Sequence, residues 1–294
     1  NFVNDQTNAQ DPDIFGAALK AQRFQMLEDI ARELAGEVVF PTYFDAVMRL
    51  RKTLQDPNHS LATIANSISI EPLISAKILH LANSVAYNPA GNDVKDLKAA
   101  VSRIGINAVR SAAMAIVMTQ LLKAKGMSAF SDFTHSLWEH SVRTAAAARV
   151  LAKAKTSLNP DEAMLAGLIH DLGAFYMLYR ATQYKDLCDR PESLRYLIIN
   201  WHESIGVSLL NALGLPEEIV DSSVDHDQPR PAPVSLRTYK DLIYVANMLA
   251  GGHFEWLMQE KPGQDEIVST LEAQYADLIP QIDELTKEMH GNFS

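Results

Sequence analysis

Apolar residues recur along this chain at intervals of three and four. No stretch alternates with period two between turn residues, so the pattern predicts an all-α fold. The first amphipathic helix is expected from about Ile14 to Ala35, with Phe15, Leu19, Phe24 and Leu27 on one face. Pro41 to Gln55 repeats the pattern and stops at Asp56-Pro57. Ser60 is a candidate N-cap for a short helix to Ile68, and Glu71-Pro72 opens another to Ala82. Leu97 to Lys123 predicts two core helices interrupted at Gly105. A helix around Phe133 to Lys153 carries the small-residue run TAAAARVLA, which allows close packing, and Asn159-Pro160-Asp161-Glu162 is a strong start for the next helix. That helix is read straight through MLAGLIHDLGAFYML. Further helices are expected at Ile198 to Leu213, ended by Gly214, at Pro216 to Val224, and as two or three segments between Leu236 and Met289.

Composition narrows the class. The 294 residues are 47% hydrophobic and 21% charged, as in folded globular proteins. One cysteine, Cys188, excludes an internal disulfide and a multi-cysteine zinc site. The opening NFVNDQTNAQDPD has no secretory pattern and no run is long enough to cross a bilayer, so the expectation is a soluble cytoplasmic protein. A net charge of -10 opposes general attraction to phosphate backbones. The helix PLISAKILHLA offers only Lys77 and His80 as polar groups, so the pair before Ala82 is read as a packed hairpin and not a base-reading motif.

Candidate chemistry gathers in the second half, where five of nine histidines fall between His135 and His226. His170-Asp171 interrupts an apolar run, and burying that pair costs several kcal/mol unless partners or a metal satisfy it. Candidate partners are His140, His202-Glu203, Asp225-His226-Asp227 and Asn247. Imidazole and carboxylate without thiolate suit iron, manganese, zinc or nickel. Trp138, Trp201, Met114, Met118 and Met127 are read as packing groups, and Cys188 has no basic activator.

LIHDLG with an upstream WEHSVRTA resembles the HD superfamily of metal-dependent phosphohydrolases. LQDPNHSLATIANSISIEPLISAKILHLANSVAYN, AVSRIGINAVRSAAMA and WHESIGVSLLNALGLPEEIVDSSVDHDQP resemble, in order and spacing, the HDOD family, over roughly residues 37 to 230. The division expected is an N-terminal extension (1–36), a helical lobe (37–128) that ends in the softer junction Lys125-Gly126 to Ser131, an HD-like lobe (129–234) and C-terminal helices (235–294). The resemblance puts His140, His170 and Asp171 at the first three metal positions and Asn247 where the usual aspartate stands. By comparison with HD-GYP phosphodiesterases, His202 and His226 match further ligand positions, and Asp225 stands where another histidine is expected. The chain departs from those enzymes where Gly173 is followed by Ala174 instead of lysine, and where DQPRPAP replaces their Gly-Tyr-Pro. The resemblance therefore implies a bacterial signalling output module, non-catalytic or weakly catalytic, with an optional divalent metal. Its expected partner is a signalling protein or a small phosphate ligand, with a homodimer as an option and neither membrane nor nucleic acid. The alternative is a phosphohydrolase acting on a nucleotide or other phosphate ester, with Asp171 and a metal-activated water as its catalytic groups. Asn83-Ser84, in HLANSVAY, is read as a capping or bridging element.

Overall fold

Ordered secondary structure in the computed structural model is helical throughout the described residues, which are 17–35, 58–69, 72–228, 230–251 and 264–293 with positions 50, 53 and 56. The helix expected over Pro41 to Gln55 lies largely outside them, and so does all of Lys261-Pro262-Gly263, where the sequence predicts a break between the helices after Leu236.

The first half holds α1 (Ala17–Ala35), α2 (Leu61–Ser69), α3 (Pro72–Ala82), α4 (Leu97–Ile104) and α5 (Ile106–Leu122). Ser60 caps α2 by accepting from the Thr63 amide at 3.2 Å, and Asp96 caps α4 through the Ala99 amide at 2.8 Å. The chain turns between α4 and α5 at Gly105, where φ is 83°, a region open chiefly to glycine. Asn83 bridges as expected: its side-chain amide pairs with both backbone groups of Val94, each at 2.9 Å.

A 3-10 turn (Met127–Phe130) leads into the 25-residue α6 (Ser131–Lys155), followed by α7 (Pro160–Ile169) and α8 (Leu172–Ala181). The short α9 (Lys185–Cys188), α10 (Pro191–Ala212), α11 (Glu217–Ser222), α12 (Tyr239–Leu249), α13 (Gln264–Gln274) and α14 (Ile279–Phe293) complete the chain. The continuous helix expected through LIHDLG is in fact two, broken at His170-Asp171, and α10 begins seven residues before the expected Ile198.

One cluster of buried apolar side chains extends from Met26 to Met289. α5 lies inside it, with Met114 and Met118 buried as expected, and packs on α7 and α8 as well as on α3 and α4. α1 packs on α8, α9 and α10, where Glu33 accepts from the Tyr176 hydroxyl at 2.6 Å and pairs with Arg180 at 2.5 Å. α14 packs on α6 and reaches the HLANSVAY segment, where the Glu288 carboxylate accepts from the Ala86 amide at 3.2 Å. No single helix among the described residues is long and apolar enough to cross a membrane.

Candidate metal centre

Two close backbone approaches bring the chemistry together. Ala145 to Ala148 on α6 are fully buried, and Gly167 on α7 lies against them: a Cβ there would meet the Ala145 Cα at 2.8 Å and the Thr144 carbonyl at 2.9 Å. This seats the end of α7, and so His170, against His140 on α6. Gly173, at the start of α8, lies against α10, where a Cβ would meet the His202 carbonyl at 1.9 Å and the Gly206 amide nitrogen at 2.6 Å. That contact brings Asp171 beside His202.

The break between α7 and α8 lets adjacent residues serve one site. In an unbroken helix, neighbours diverge by about 100° around the axis. At Asp171 the backbone enters the bridge region (φ -104°, ψ 18°), and His170 and Asp171 both turn inward. His226 comes from the turn after α11, where Asp225 takes a φ of 57°.

The result is four imidazoles around one carboxylate. Asp171 Oδ2 lies 3.0 Å from His170 Nε2 and 3.6 Å from His140 Nε2. Its other oxygen, Oδ1, lies 3.1 Å from His226 Nε2 and 3.5 Å from His202 Nε2. Asp227 Oδ2 lies 3.3 Å from both His202 Nε2 and His226 Nε2. The donor atoms therefore fall into two groups that share Asp171: His140, His170 and Asp171, and Asp171, His202, His226 and Asp227.

Each imidazole is held the same way. Nδ1 of His140, His170, His202 and His226 meets the backbone carbonyls of Ala250, Gly167, Ile198 and Ser223 at 3.1, 2.6, 2.7 and 2.6 Å. A carbonyl only accepts, so each Nδ1 carries the proton and, in a neutral ring, Nε2 is left with a lone pair facing inward. Those lone pairs face one another, with His140 and His170 Nε2 at 3.2 Å and His202 and His226 Nε2 at 3.4 Å. Two facing lone pairs repel unless a proton or a cation lies between them.

Electrostatics carries the same message. Burial alone would raise the Asp171 carboxyl, yet His170 and His226 hold it well below the ordinary carboxylate range. Burial likewise opposes charge on His226, but Asp227, followed by the hydrogen bond to Asp171, raises it well above the ordinary histidine range. His202 is raised by Asp227 and Asp171 against burial, whereas burial dominates at His170 and lowers it. The cluster thus gathers buried imidazoles around two carboxylates with a backbone carbonyl behind each Nδ1, an arrangement that orients histidines as metal ligands.

Five of the residues singled out in the sequence, His140, His170, Asp171, His202 and His226, meet here. Asp225 does not: it is exposed and its carboxylate lies 3.6 Å from Lys240, because the left-handed turn directs it outward. Its place is taken by Asp227, which the triplet Asp225-His226-Asp227 offered without saying which acid faces inward. Glu203 belongs to neither donor group. Asn247 is fully buried beside the cluster, donating from Nδ2 to the His226 carbonyl at 3.0 Å and to Asp227 Oδ1 at 3.1 Å. Its Oδ1 is buried without a hydrogen-bond partner. Trp138 packs edge-on against Phe175, but Trp201 departs from its expected packing role and is 47% exposed. The Cys188 thiol is pushed up by burial, consistent with no activator nearby.

The family model of the HDOD domain matches residues 40–229. The fold is similar to that of a Shewanella amazonensis protein named provisionally as a metal-dependent phosphohydrolase, with TM-score 0.71 and 23% identity over 93% of this chain and 100% of that one. It is also similar to an HDOD domain protein of unknown function from Geobacter sulfurreducens, with TM-score 0.54 and 22% identity, covering 91% and 99% of the two chains. In sequence, the chain is 24% identical over 216 residues to an uncharacterized protein of Treponema pallidum. That match covers 69% of this chain and only 40% of the relative's length.

Proposed function

Because the chain belongs to the HDOD domain family, we propose that it is a signal-transduction output module whose buried histidine-aspartate cluster holds two divalent cations sharing Asp171. The observation that carries this reading is the division of Asp171, with one oxygen turned to His140 and His170 and the other to His202 and His226. The donors fit borderline metals such as iron, manganese, zinc or nickel. Cations held largely by neutral imidazoles keep most of their charge, which favours a small phosphate as ligand. Its approach is on the side of His202 and Asp227, the two most exposed members of the cluster at 5% and 8%.

Bound ions of this kind would supply Lewis-acid polarisation of a phosphate oxygen and acidify a coordinated water. The chain's own residues do the holding. Asp171 would offer one oxygen to each position, the four carbonyls fix the imidazole tautomers, and Asp227 would complete the His202 side. Past Gly173 the chain supplies the methyl of buried Ala174, so no cation from that position meets a phosphate.

A second reading, hydrolysis of a phosphate ester, is favoured by the same shared carboxylate, because paired ions can clamp attacking and leaving oxygens. Incubation of metal-loaded protein with inorganic phosphate and with nucleotide and aryl phosphate esters separates the two. The module reading expects phosphate binding that a chelator reverses, without turnover. Chelator-sensitive release of phosphate from an ester, lost in Asp171→Ala, would replace it with the hydrolase.

A further inference from the structure

We infer that the cavity between the starts of α6 and α10 is a binding site for a small monocarboxylate with an apolar body, and that Arg195 pairs with its carboxylate. The site stands apart from the metal centre and does not depend on the cation reading above.

The cavity, about 190 Å³ in volume and partly open to solvent, lies among the 3-10 turn, the first residues of α6 and α10, and α8. Its walls are largely apolar: Phe130, Phe133, Leu178, Pro191 and Leu194. Three of these, Phe130, Leu178 and Leu194, also belong to the buried core, which gives the cavity a fixed floor. An apolar cavity of about 150 Å³ holds one benzene ring. This one is large enough for a ring or short branched chain with a small polar head.

Arg195 supplies the polar recognition. Its guanidinium lies over the Phe133 ring, 5.6 Å from the centroid, within the range of a cation–π contact. Arg143, Arg149 and Arg180 each pair with an acid. Arg195, by contrast, has no hydrogen bond or ion pair among the described residues, and its Nε is buried without an acceptor. A planar, weakly hydrated guanidinium held against a ring is suited to take a carboxylate through two parallel hydrogen bonds.

The surrounding charges select a single negative charge. α6 and α10, of 25 and 22 residues, both start at this cavity without a side-chain cap, and each adds partial positive charge there. Asp132 also lines the cavity, but it is exposed and makes no ion pair with Arg195 among the described residues. A monocarboxylate can therefore reach the guanidinium. A dianion such as phosphate would meet the charge of Asp132 and walls that leave most of its oxygens without donors.

Ligand-observed NMR titration of the full chain with benzoate, with and without chelator, tests this, using benzyl alcohol as a neutral match in shape. Benzoate should bind saturably, equally well with chelator present, and at least about 10-fold more tightly than benzyl alcohol, the scale of a hydrogen-bonded charge pair. Arg195→Gln should weaken benzoate by at least about 10-fold and leave benzyl alcohol unchanged, which shows that the cavity is still formed. Arg195→Lys should recover part of the benzoate affinity, and Phe133→Ala should weaken both ligands. Excess inorganic phosphate should not displace benzoate. No saturable binding to the wild-type chain, equal affinity for the two ligands, or full benzoate affinity in Arg195→Gln would overturn the inference. So would displacement by phosphate, which marks a general anion site, or loss of binding with chelator, which would put benzoate at the metal centre.

Discussion

At the scale of single residues, the cluster ties protonation to metal in a way that can be measured. Without ions, His226 is raised well above the ordinary histidine value of 6.5 and His202 is raised with it. Groups whose folded-state value is raised stabilise the fold below 6.5, and that contribution is lost as pH rises through the folded value. The lowered His170 works in the opposite sense and offsets part of it. Asp171, held low, stabilises at every pH above the ordinary carboxylate range and loses that effect only in acid. Chelator-treated protein should therefore lose thermal stability as pH is raised above 6.5. Metal-loaded protein should not, because ion binding needs neutral imidazoles and strengthens with pH. Melting temperatures across pH 6 to 9, with and without chelator, check this, and parallel curves would contradict it. Much of the site was legible at this scale. His140, His170, Asp171, His202 and His226 were visible because imidazoles and an acid stood in otherwise apolar helices. The triplet Asp225-His226-Asp227 leaves open which acid faces inward, because a single left-handed residue decides it and no helical period reports that.

At the scale of elements, the centre depends on how closely the helices approach. Gly173 and Gly206 face each other across α8 and α10, yet their tolerance should differ. A Cβ on Gly173 would collide with backbone atoms of α10, whereas one on Gly206 would sit 3.4 Å from the Gly173 nitrogen, an ordinary contact. Overpacking costs about 1–3 kcal/mol and occasionally more. Gly173→Ala should reach or exceed that range and lower metal content on the His202 side, and Gly206→Ala should do neither. Thermal unfolding with elemental analysis of both variants is the check, and equal behaviour would contradict the account. The sequence announced the small-residue run on α6 and the cap of α7, so most helices could be read from apolar spacing and start signals. The break at His170-Asp171 was hidden because the apolar period continues across it, and only the inward turn of both residues reveals it.

At the scale of the molecule, one core joins what the sequence divides into lobes. α5 packs on helices of both halves, and polar ties add to it: Tyr87 bonds to Asp161 at the start of α7, Asn107 to Glu162 at 3.1 Å, and Glu33 to Tyr176. The first and last described helices place Met26, Ile30, Ile282 and Met289 inside this core. Unfolding followed by circular dichroism and by tryptophan fluorescence should therefore give coincident transitions; two separated transitions would show lobes that fold independently. Tyr176→Phe removes a partly buried tie to α1 and should cost about 1 kcal/mol, read as a shift in denaturant midpoint.

The central claim is that this core is arranged around two cations sharing Asp171. The most direct measurement is elemental analysis of protein purified without an affinity metal and then incubated with iron, manganese, zinc or nickel, alongside Asp171→Ala. The account predicts close to two divalent ions per wild-type chain and almost none in the variant. A wild-type chain that remains metal-free after incubation, or a variant that retains the full complement, would contradict it.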